Sequence, residues 1–538
     1  MNRFLKRGSY SYFLISALTS LSSSTGHSAT VVYSNDVLGE LEPCGCRSNP
    51  LGGMVRKEGL LKQSADTSLL QLDAGDLLFG TDVIPGALVD QSRLQATYLI
   101  KALGIIGQDA VVPGEKDFAL GVKTFQELIK SSKIKFLAAN LKKKNGKKLL
   151  EAHAVFERKK ADGSPIRIAV IGIVGKNLGY PKELKISDPV TETKNEIKSL
   201  RKKADFLIVL SHQGLEADHD LAEKVPGIDL IIGAHSQSFL QKPLQVGKTW
   251  IYQSSFRNQY VGLIPIARPF TSEGHKLIGL DAKYEQVPSK LAALVSEFKA
   301  KLAEMNTQEE VKRMTSTEAN SKGIQKFQTF PRCAECHLKQ FDFWRKTSHA
   351  NALDPLLPKN QLKNKECLSC HTLGLGDPDG YQTIGQIAEY RHLALPSPRP
   401  SPLLEEEEGS SDQQPVMMTE PLPLEEIAGY LKKVHESKDL SSKVVLHGDS
   451  PTSLRKSILG LGHSWAPVQC ENCHQPGRDH PFQGSYAKKV EVQTCMKCHN
   501  AERAPEWYLP NGTPDQAKIA AKMQLIRCPI GDFIEPET

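Results

Sequence analysis

Between residues 333 and 499 the chain repeats the pentad Cys-x-x-Cys-His four times: Cys333–His337 (CAECH), Cys367–His371 (CLSCH), Cys470–His474 (CENCH) and Cys495–His499 (CMKCH). Thiols at Cys333 and Cys336, Cys367 and Cys370, Cys470 and Cys473, and Cys495 and Cys498 have the spacing that reaches both vinyl groups of a porphyrin. The residue that follows, His337, His371, His474 or His499, then falls under the iron as its proximal ligand. Cys-x-x-Cys pairs also clip tetrahedral zinc, but a zinc site gives no reason for a histidine directly after the second cysteine at every pair. The pentads therefore predict four covalently attached haem c groups. A distal histidine would close each iron for electron transfer, and an open face would leave it free for ligand chemistry. Of the remaining histidines in this region, His349, His463 and His480 are the expected distal ligands and His447 the next choice, with His392 and His435 read as surface residues.

A second set of ligand-type residues lies upstream, and it is ordered by strands. From Thr30 to about Ala267 short apolar runs alternate with helical stretches, the pattern of an α/β protein. The runs are Thr30–Asn35, Ser68–Leu72, Asp109–Val112, Phe136–Ala139, Ile166–Val174, Asp205–Leu210, Asp229–Ile232 and Thr249–Gln253. Asp36, Asp76, Glu115, Asn140, His212 and His235 come just after six of them. Active sites of open α/β sheets form at the carboxyl ends of strands, so these residues are expected to face one site.

The blocks VVYSNDVLGEL, LDAGD, VPGEKDF, AANL, VLSHQG and DLIIGAHSQ occur in this order, and together they resemble those of the calcineurin-like metallophosphatases, in particular the periplasmic 5′-nucleotidase (UshA-like) branch. The resemblance covers roughly residues 30–285 and implies a metallophosphatase-like α/β fold, a β-sandwich flanked by helices. It also implies a metal set, which this chain fills only in part. Asp36 matches a ligand of one metal, but Leu38 holds the histidine position two residues on. Asp76 matches the bridging aspartate, and Glu115 stands where the family has asparagine. His212 and His235 match ligands of the second metal, and Gln237 replaces the family's last histidine. Lys116 takes the place of the histidine that stabilises the leaving group. Asp76, Glu115, His212 and His235 still make a carboxylate and imidazole cage for one divalent ion. The other metal keeps only Asp36 and the shared Asp76. Two-metal hydrolysis divides activation of the attacking oxygen and polarisation of the phosphoryl group between two ions, so phosphatase or nucleotidase activity is expected to be absent or feeble. The alternative is a relic cleft in which the histidines are merely hydrogen-bonded.

Eight of the eleven cysteines belong to the pentads, leaving Cys44, Cys46 and Cys528. Cys44 and Cys46, in Glu-Pro-Cys-Gly-Cys, sit in a turn-rich segment shortly after Asp36. They read as a reducible disulfide, as thiolates for a metal, or as acceptors for a substrate carried on sulfur; a bridge from one of them to Cys528 is the bland alternative. With Lys116 they are the catalytic candidates. The segment resembles a branch of UshA-like exported proteins, some fused to cytochromes. The motifs of the haem region, with Thr347-Ser-His349-Ala, resemble the cytochrome c-554 group of tetrahaem proteins, which implies a mostly α and irregular multihaem domain.

The 538 residues leave room for several domains. Residues 1–29 read as a secretory signal, with basic Arg3, Lys6 and Arg7, an apolar run too short to span a bilayer, and small residues after it. The metallophosphatase-like domain is expected over 30–286, a helical connector over 287–322, and the haem domain over 323–538 with a Pro-, Ser- and Glu-rich disordered loop at 396–423. The formal charge of +7 falls to +4 without the signal, and haem propionates lower it further, so nucleic acid is not an expected partner. The sequence thus predicts a periplasmic or otherwise extracytoplasmic protein with no membrane span in the mature chain. Its expected partners are redox proteins, and a small anionic or sulfur-containing substrate at the N-terminal site.

Overall fold

The computed structural model describes residues 29–43, 50–64, 68–160, 163–267, 269–315, 326–334, 337–388, 465–477, 490–501, 503–509 and 513–529. Of the expected features, the signal segment up to residue 28 and the loop at 396–423 lie outside the described residues, as do Cys44, Cys46, Cys336, His392, His435, His447, His463 and His480.

The first half runs β1 (Ala29–Ser34), α1 (Met54–Gln63), β2 (Leu69–Asp73), α2 (Val89–Ile106), β3 (Ala110–Val111), α3 (Gly121–Lys130), β4 (Lys135–Phe136), β5 (Leu141–Lys143), β6 (His153–Lys159) and β7 (Pro165–Val174). It continues with β8 (Leu184–Ile186), α4 (Pro189–Leu200), β9 (Phe206–His212), α5 (Leu215–Lys224), β10 (Leu230–Gly233), β11 (Leu244–Val246), β12 (Thr249–Tyr252), β13 (Tyr260–Ile266) and β14 (Lys276–Gly279). Two six-stranded sheets result, in the orders β14-β13-β1-β2-β3-β4 and β11-β12-β10-β9-β7-β6. Side chains of both contribute to one buried cluster, among them Val31, Leu70, Leu72, Val170, Ile208 and Ile232. This is the metallophosphatase-like β-sandwich with flanking helices.

Strands β1 to β4 pair in parallel, as do β7, β9, β10 and β12. All seven residues of β9, FLIVLSH, are buried, as expected of an interior parallel strand covered on both faces. The parallel strands of each sheet end on the same side, which gathers their following loops. The eight expected strands are present, with bounds shifted by a few residues. Edge strands β6 and β14, and β13 with its interior glycine and proline, complete the sheets.

The connector is α6 (Lys290–Thr315), which packs on α2 and α1 through buried Leu291, Phe298 and Leu302. It docks the two halves rather than merely spacing them. Beyond it come α7 (Thr329–Ala334), α8 (Leu338–Trp344), α9 (Lys365–His371), α10 (Cys470–His474), α11 (Val492–Met496) and α12 (Gln516–Leu525). No strand occurs there among the described residues, as the sequence suggested. A small aromatic cluster, Phe330, Phe341, Trp344, Tyr381 and Trp465, packs this segment. Among the described residues no helix is long and apolar enough to cross a membrane.

Candidate metal centre and haem-attachment motifs

The loops after β2, β3 and β10 and the last residue of β9 bring Asp76, Glu115, His235 and His212 together, with one potential ligand atom from each lying within 4.8 Å of the others. Glycine lets these loops close on one another. A Cβ on Gly114 would stand 2.0 Å from Asp76 Oδ1, and one on Gly75, whose φ is +98°, 2.8 Å from His212 Nδ1. Asp36, Leu38, Asp76, His235 and Gln237 all have left-handed φ, between 50° and 71°. Such conformations are uncommon outside glycine and cluster at functional loops.

Asp117 braces two of these loops. Its Oδ1 accepts from the Leu77 and Leu78 N–H groups at 2.9 and 2.7 Å, and its Oδ2 accepts from Gly114 N–H at 2.8 Å. Burial is the main reason its carboxyl is pushed up to about 7, with the nearby Asp76 adding to it. Tyr180 adds a further brace, donating from its hydroxyl to Pro113 O at 3.1 Å. Neither role was read from the sequence. Asp117 is visible only as the last residue of the Gly-Glu-Lys-Asp block, and Tyr180 has no signal beyond being aromatic.

His212 shows what the cage asks for. Ala74 O can only accept, so His212 Nδ1 donates to it at 2.8 Å, fixing the ring and its tautomer as backbone carbonyls do for metal-bound imidazoles. Its Nε2 then faces Glu115 Oε2 at 3.1 Å and Asp76 Oδ1 at 3.5 Å. A lone pair aimed at two carboxylates is repulsive, so a proton or a cation must stand between them. Burial lowers the imidazole's pKa, but Asp76 and Glu115 outweigh it and carry it to about 10. For Glu115, burial pushes up, and His212 and His235 hold the carboxyl well below the usual range. His235 Nδ1 is buried without a hydrogen-bond partner, 3.3 Å from Glu115 Oε1. An orphaned imidazole nitrogen beside paired carboxylates suits a divalent cation, so these residues fit the metal that the fold implies.

The other positions differ. Asp36 is fully buried outside this group, accepting from Asn35 Nδ2 at 2.8 Å and from the His235 N–H at 3.2 Å. Burial raises it to about 7, against the pull of His212. Asn140, expected at the site, is instead spent on β7, its amide bonding Val174 N and O at 3.0 and 2.7 Å. Lys116 is at the site: its ammonium donates to Asp76 Oδ2 and lies 3.7 Å from Glu115 Oε1. Burial would lower its pKa, but Asp76 reverses that and keeps it charged.

In the C-terminal segment α9 and α10 carry their pentads on helical turns, which puts the cysteines at i and i+3 and the histidine at i+4 on one face. Among the described residues Cys333, Cys367, Cys370, Cys470, Cys473, Cys495, Cys498 and Cys528 form no disulfide, so the described motif cysteines are open to thioether formation and fit the haem. Motifs approach in pairs. Cys333 lies against Cys470, Cys498 lies against Cys370, and Asn472 donates to Thr372 O at 3.1 Å. The Cys498 thiol and then the Arg503 guanidinium, which donates to Cys370 Sγ at 2.7 Å, bring Cys370 down to about 6 against its burial. His349 sits beside the fourth motif, its ring centroid 6.0 Å from that of His499, and burial lowers its pKa. His499 itself stacks on Trp507 at 4.5 Å.

Comparison with known proteins agrees with both halves. The human 5′-nucleotidase is 28% identical over 324 residues, covering 52% of this chain and 54% of that protein. An apyrase from Tabanus yao is 34% identical over 169 residues, 27% of this chain and 29% of its own. The chain thus spans about half or less of these curated relatives. Among solved structures, the Thermus thermophilus sulfate thiohydrolase SoxB aligns over 51% of this chain and 60% of its own with 19% identity and a TM-score of 0.43. A 5′-nucleotidase precursor from the same organism aligns over 62% of this chain and 68% of its own with 18% identity and a TM-score of 0.43. Residues 332–391 match the family "Cytochrome c554 and c-prime". The chain joins an N-terminal half homologous to the 5′-nucleotidase and calcineurin-like phosphoesterases to a cytochrome c554-type segment.

Proposed function

We propose that this protein is an exported electron carrier, a tetrahaem c-type cytochrome whose attached metallophosphatase-like domain keeps one divalent cation and has given up two-metal hydrolysis. The observation that carries the reading is the pairing of pentad thiols, Cys333 with Cys470 and Cys370 with Cys498. Haems anchored at adjoining motifs would lie close to one another, as rapid transfer between irons requires. Each bound haem would supply a one-electron couple. The chain's residues attach it through two thiols, present the proximal imidazole and, through His349, offer a distal one.

At the N-terminal site Asp76, Glu115, His212 and His235 would hold the cation, which when bound would supply Lewis acidity. Lys116, already on Asp76, occupies the side where the family's other metal has its ligands. Leu38 offers that ion no donor atom, and Gln237 only a neutral amide oxygen in place of an imidazole. One cation beside one ammonium suits the binding of a small anion more than in-line phosphoryl transfer. The second reading is therefore a redox enzyme in which a small oxyanion or sulfur compound reacts at this site and the haems, with redox partner proteins, carry its electrons. It is favoured by Lys116, whose largely buried ammonium is a fixed positive charge at the mouth of the cage.

Metal analysis and optical spectra of the purified, haem-loaded chain test the proposal. Four haems and one divalent metal per chain are expected, with His212→Ala losing the metal and keeping the haems. A wild-type chain without stoichiometric metal under metal-replete conditions would leave only the relic-cleft account. Zinc at the pentads would overturn the cytochrome.

A further inference from the structure

The first residues of α9 are built into the other half of the molecule. Gln91, on α2 and 2% exposed, uses both ends of its amide there. Its Oε1 accepts from Lys365 N–H at 3.0 Å, and its Nε2 donates to Asn364 Oδ1. That same Asn364 oxygen caps α9 by accepting from Glu366 N–H at 3.0 Å, one of the helix's otherwise unpaired first donors. Lys365, two residues before Cys367, is also buried. Its ammonium is held by Glu309 of α6 at 2.6 Å and by Ala87 O at 3.3 Å. Asn306, one turn earlier on α6, donates to Lys363 O at 2.7 Å. One turn after Gln91 on α2, Gln95 donates to Gly39 O at 2.8 Å, in the loop of Asp36 and Leu38. Four residues of helix, about 6 Å of rise, thus separate the groups gripping that loop from those gripping the second pentad.

We propose that Gln91 and Glu309 are positioning residues that lock the second haem motif onto the metallophosphatase-like half, making the haem at Cys367–His371 the junction haem whose potential this half sets. The proposal rests on the haem reading above and is independent of whether the N-terminal cage binds metal. Burying the Lys365 ammonium beside a haem requires the Glu309 carboxylate to neutralise it. Removing that carboxylate leaves a net positive charge next to one iron, which favours the reduced form and raises that haem's potential.

The test is a spectroelectrochemical titration of the full, haem-loaded chain, wild type against Glu309→Gln and Gln91→Ala. One component of four is expected to move upward in Glu309→Gln, with all four haems still attached. That component should be missing from Cys367→Ala/Cys370→Ala, which lacks the second haem. Four unmoved potentials, or a moved component that survives without the second haem, would overturn the assignment. Gln91→Ala should shift or broaden the same component, whereas a merely structural amide would lower the melting temperature with all four potentials unchanged. Manganese(II) gives a second measure: once counted at one per chain, it should broaden the EPR signal of this haem before the others, and broadening of another haem first counts against the proposal. A chain that takes up no manganese withdraws the cation site, and the titration then decides the junction haem alone.

Discussion

Lys116 grips both oxygens of Asp76: its backbone N–H donates to Oδ1 at 3.0 Å and its ammonium to Oδ2. Asp76 is the carboxylate expected to bridge two metals, and one of its two sides is thereby taken by a side chain of this chain itself. With Asp76 fully buried and Lys116 mostly so, the pair is of the kind whose rupture leaves an uncompensated buried charge. Lys116→Ala is expected to destabilise the metal-free domain by about 3 kcal/mol, and saturating manganese or zinc should restore much of the loss by neutralising the cage. Urea unfolding with and without metal measures both; equal losses in the two states would show that the ammonium and the cation do not share a role.

The same arrangement predicts little phosphoester chemistry. AMP and a chromogenic phosphomonoester, assayed with manganese, cobalt or zinc, should be turned over at or near background. The double variant Leu38→His/Gln237→His, made in Lys116→Ala, should take up a second ion per chain, because the backbone at both positions already has the left-handed conformation of the site loops. Robust wild-type turnover abolished by Asp76→Asn would show that the remaining ligands suffice.

Haem content is predicted to be four per chain. Mass spectrometry under denaturing conditions should give the mature chain plus four haem masses, and replacing Cys333, Cys367, Cys470 or Cys495 should weaken or lose one attachment. Full retention across that series would refute the motif assignment.

Asp218 gives a pH dependence. It is fully buried on α5 against β9 and β10, where a Cβ on Gly233 would stand 2.0 Å from its Oδ2, and burial pushes its carboxyl up to about 7 against the pull of Ser211 and Gln213. Unfolded, it titrates near the usual value of about 3.9. Between those values the folded chain binds a proton that the unfolded chain has lost, so the stability due to this group falls as pH rises from about 4 to about 7. The slope is at most about 1.4 kcal/mol per pH unit. Asp218→Asn should remove this group's share of the slope and leave that of Asp36 and Asp117, likewise pushed up to about 7 by burial, as urea midpoints measured across that range would reveal. An unchanged slope would mean that Asp218 stays ionised when buried.

Much of this was legible in the chain because ligands at strand ends are a local pattern. Asp76, Glu115, His212 and His235 each follow an apolar run, and the fold closes them into one cage. Asn140 obeys the same pattern and fails, since its amide instead pairs with the end of β7, a choice made by tertiary packing. Strand β13 was not among the expected runs: Gly262 and Pro265 interrupt a strand pattern, yet a Cβ at 262 would stand 1.8 Å from the Tyr33 ring, so the glycine is what lets β1 and β13 meet. The grip of Lys116 on Asp76 was not legible in the sequence, because it depends on where a flexible four-carbon chain comes to rest. The docking of α6 was equally hidden, since an amphipathic helix does not say which surface it will cover.

The pairing of β1 with both β2 and β13 fixes an order of events during synthesis. Ala29 lies opposite Ile266, so the first sheet cannot close until β13, far along the chain, has emerged. After β14 comes Lys290–Thr315, which packs on α2 and carries Glu309. By the time Cys367 leaves the ribosome or the export channel, its docking platform is already encoded in finished chain, consistent with the domain-by-domain folding of larger proteins. The second haem would then be attached to a segment with a place to go, whereas the third and fourth motifs must find theirs against the first and second.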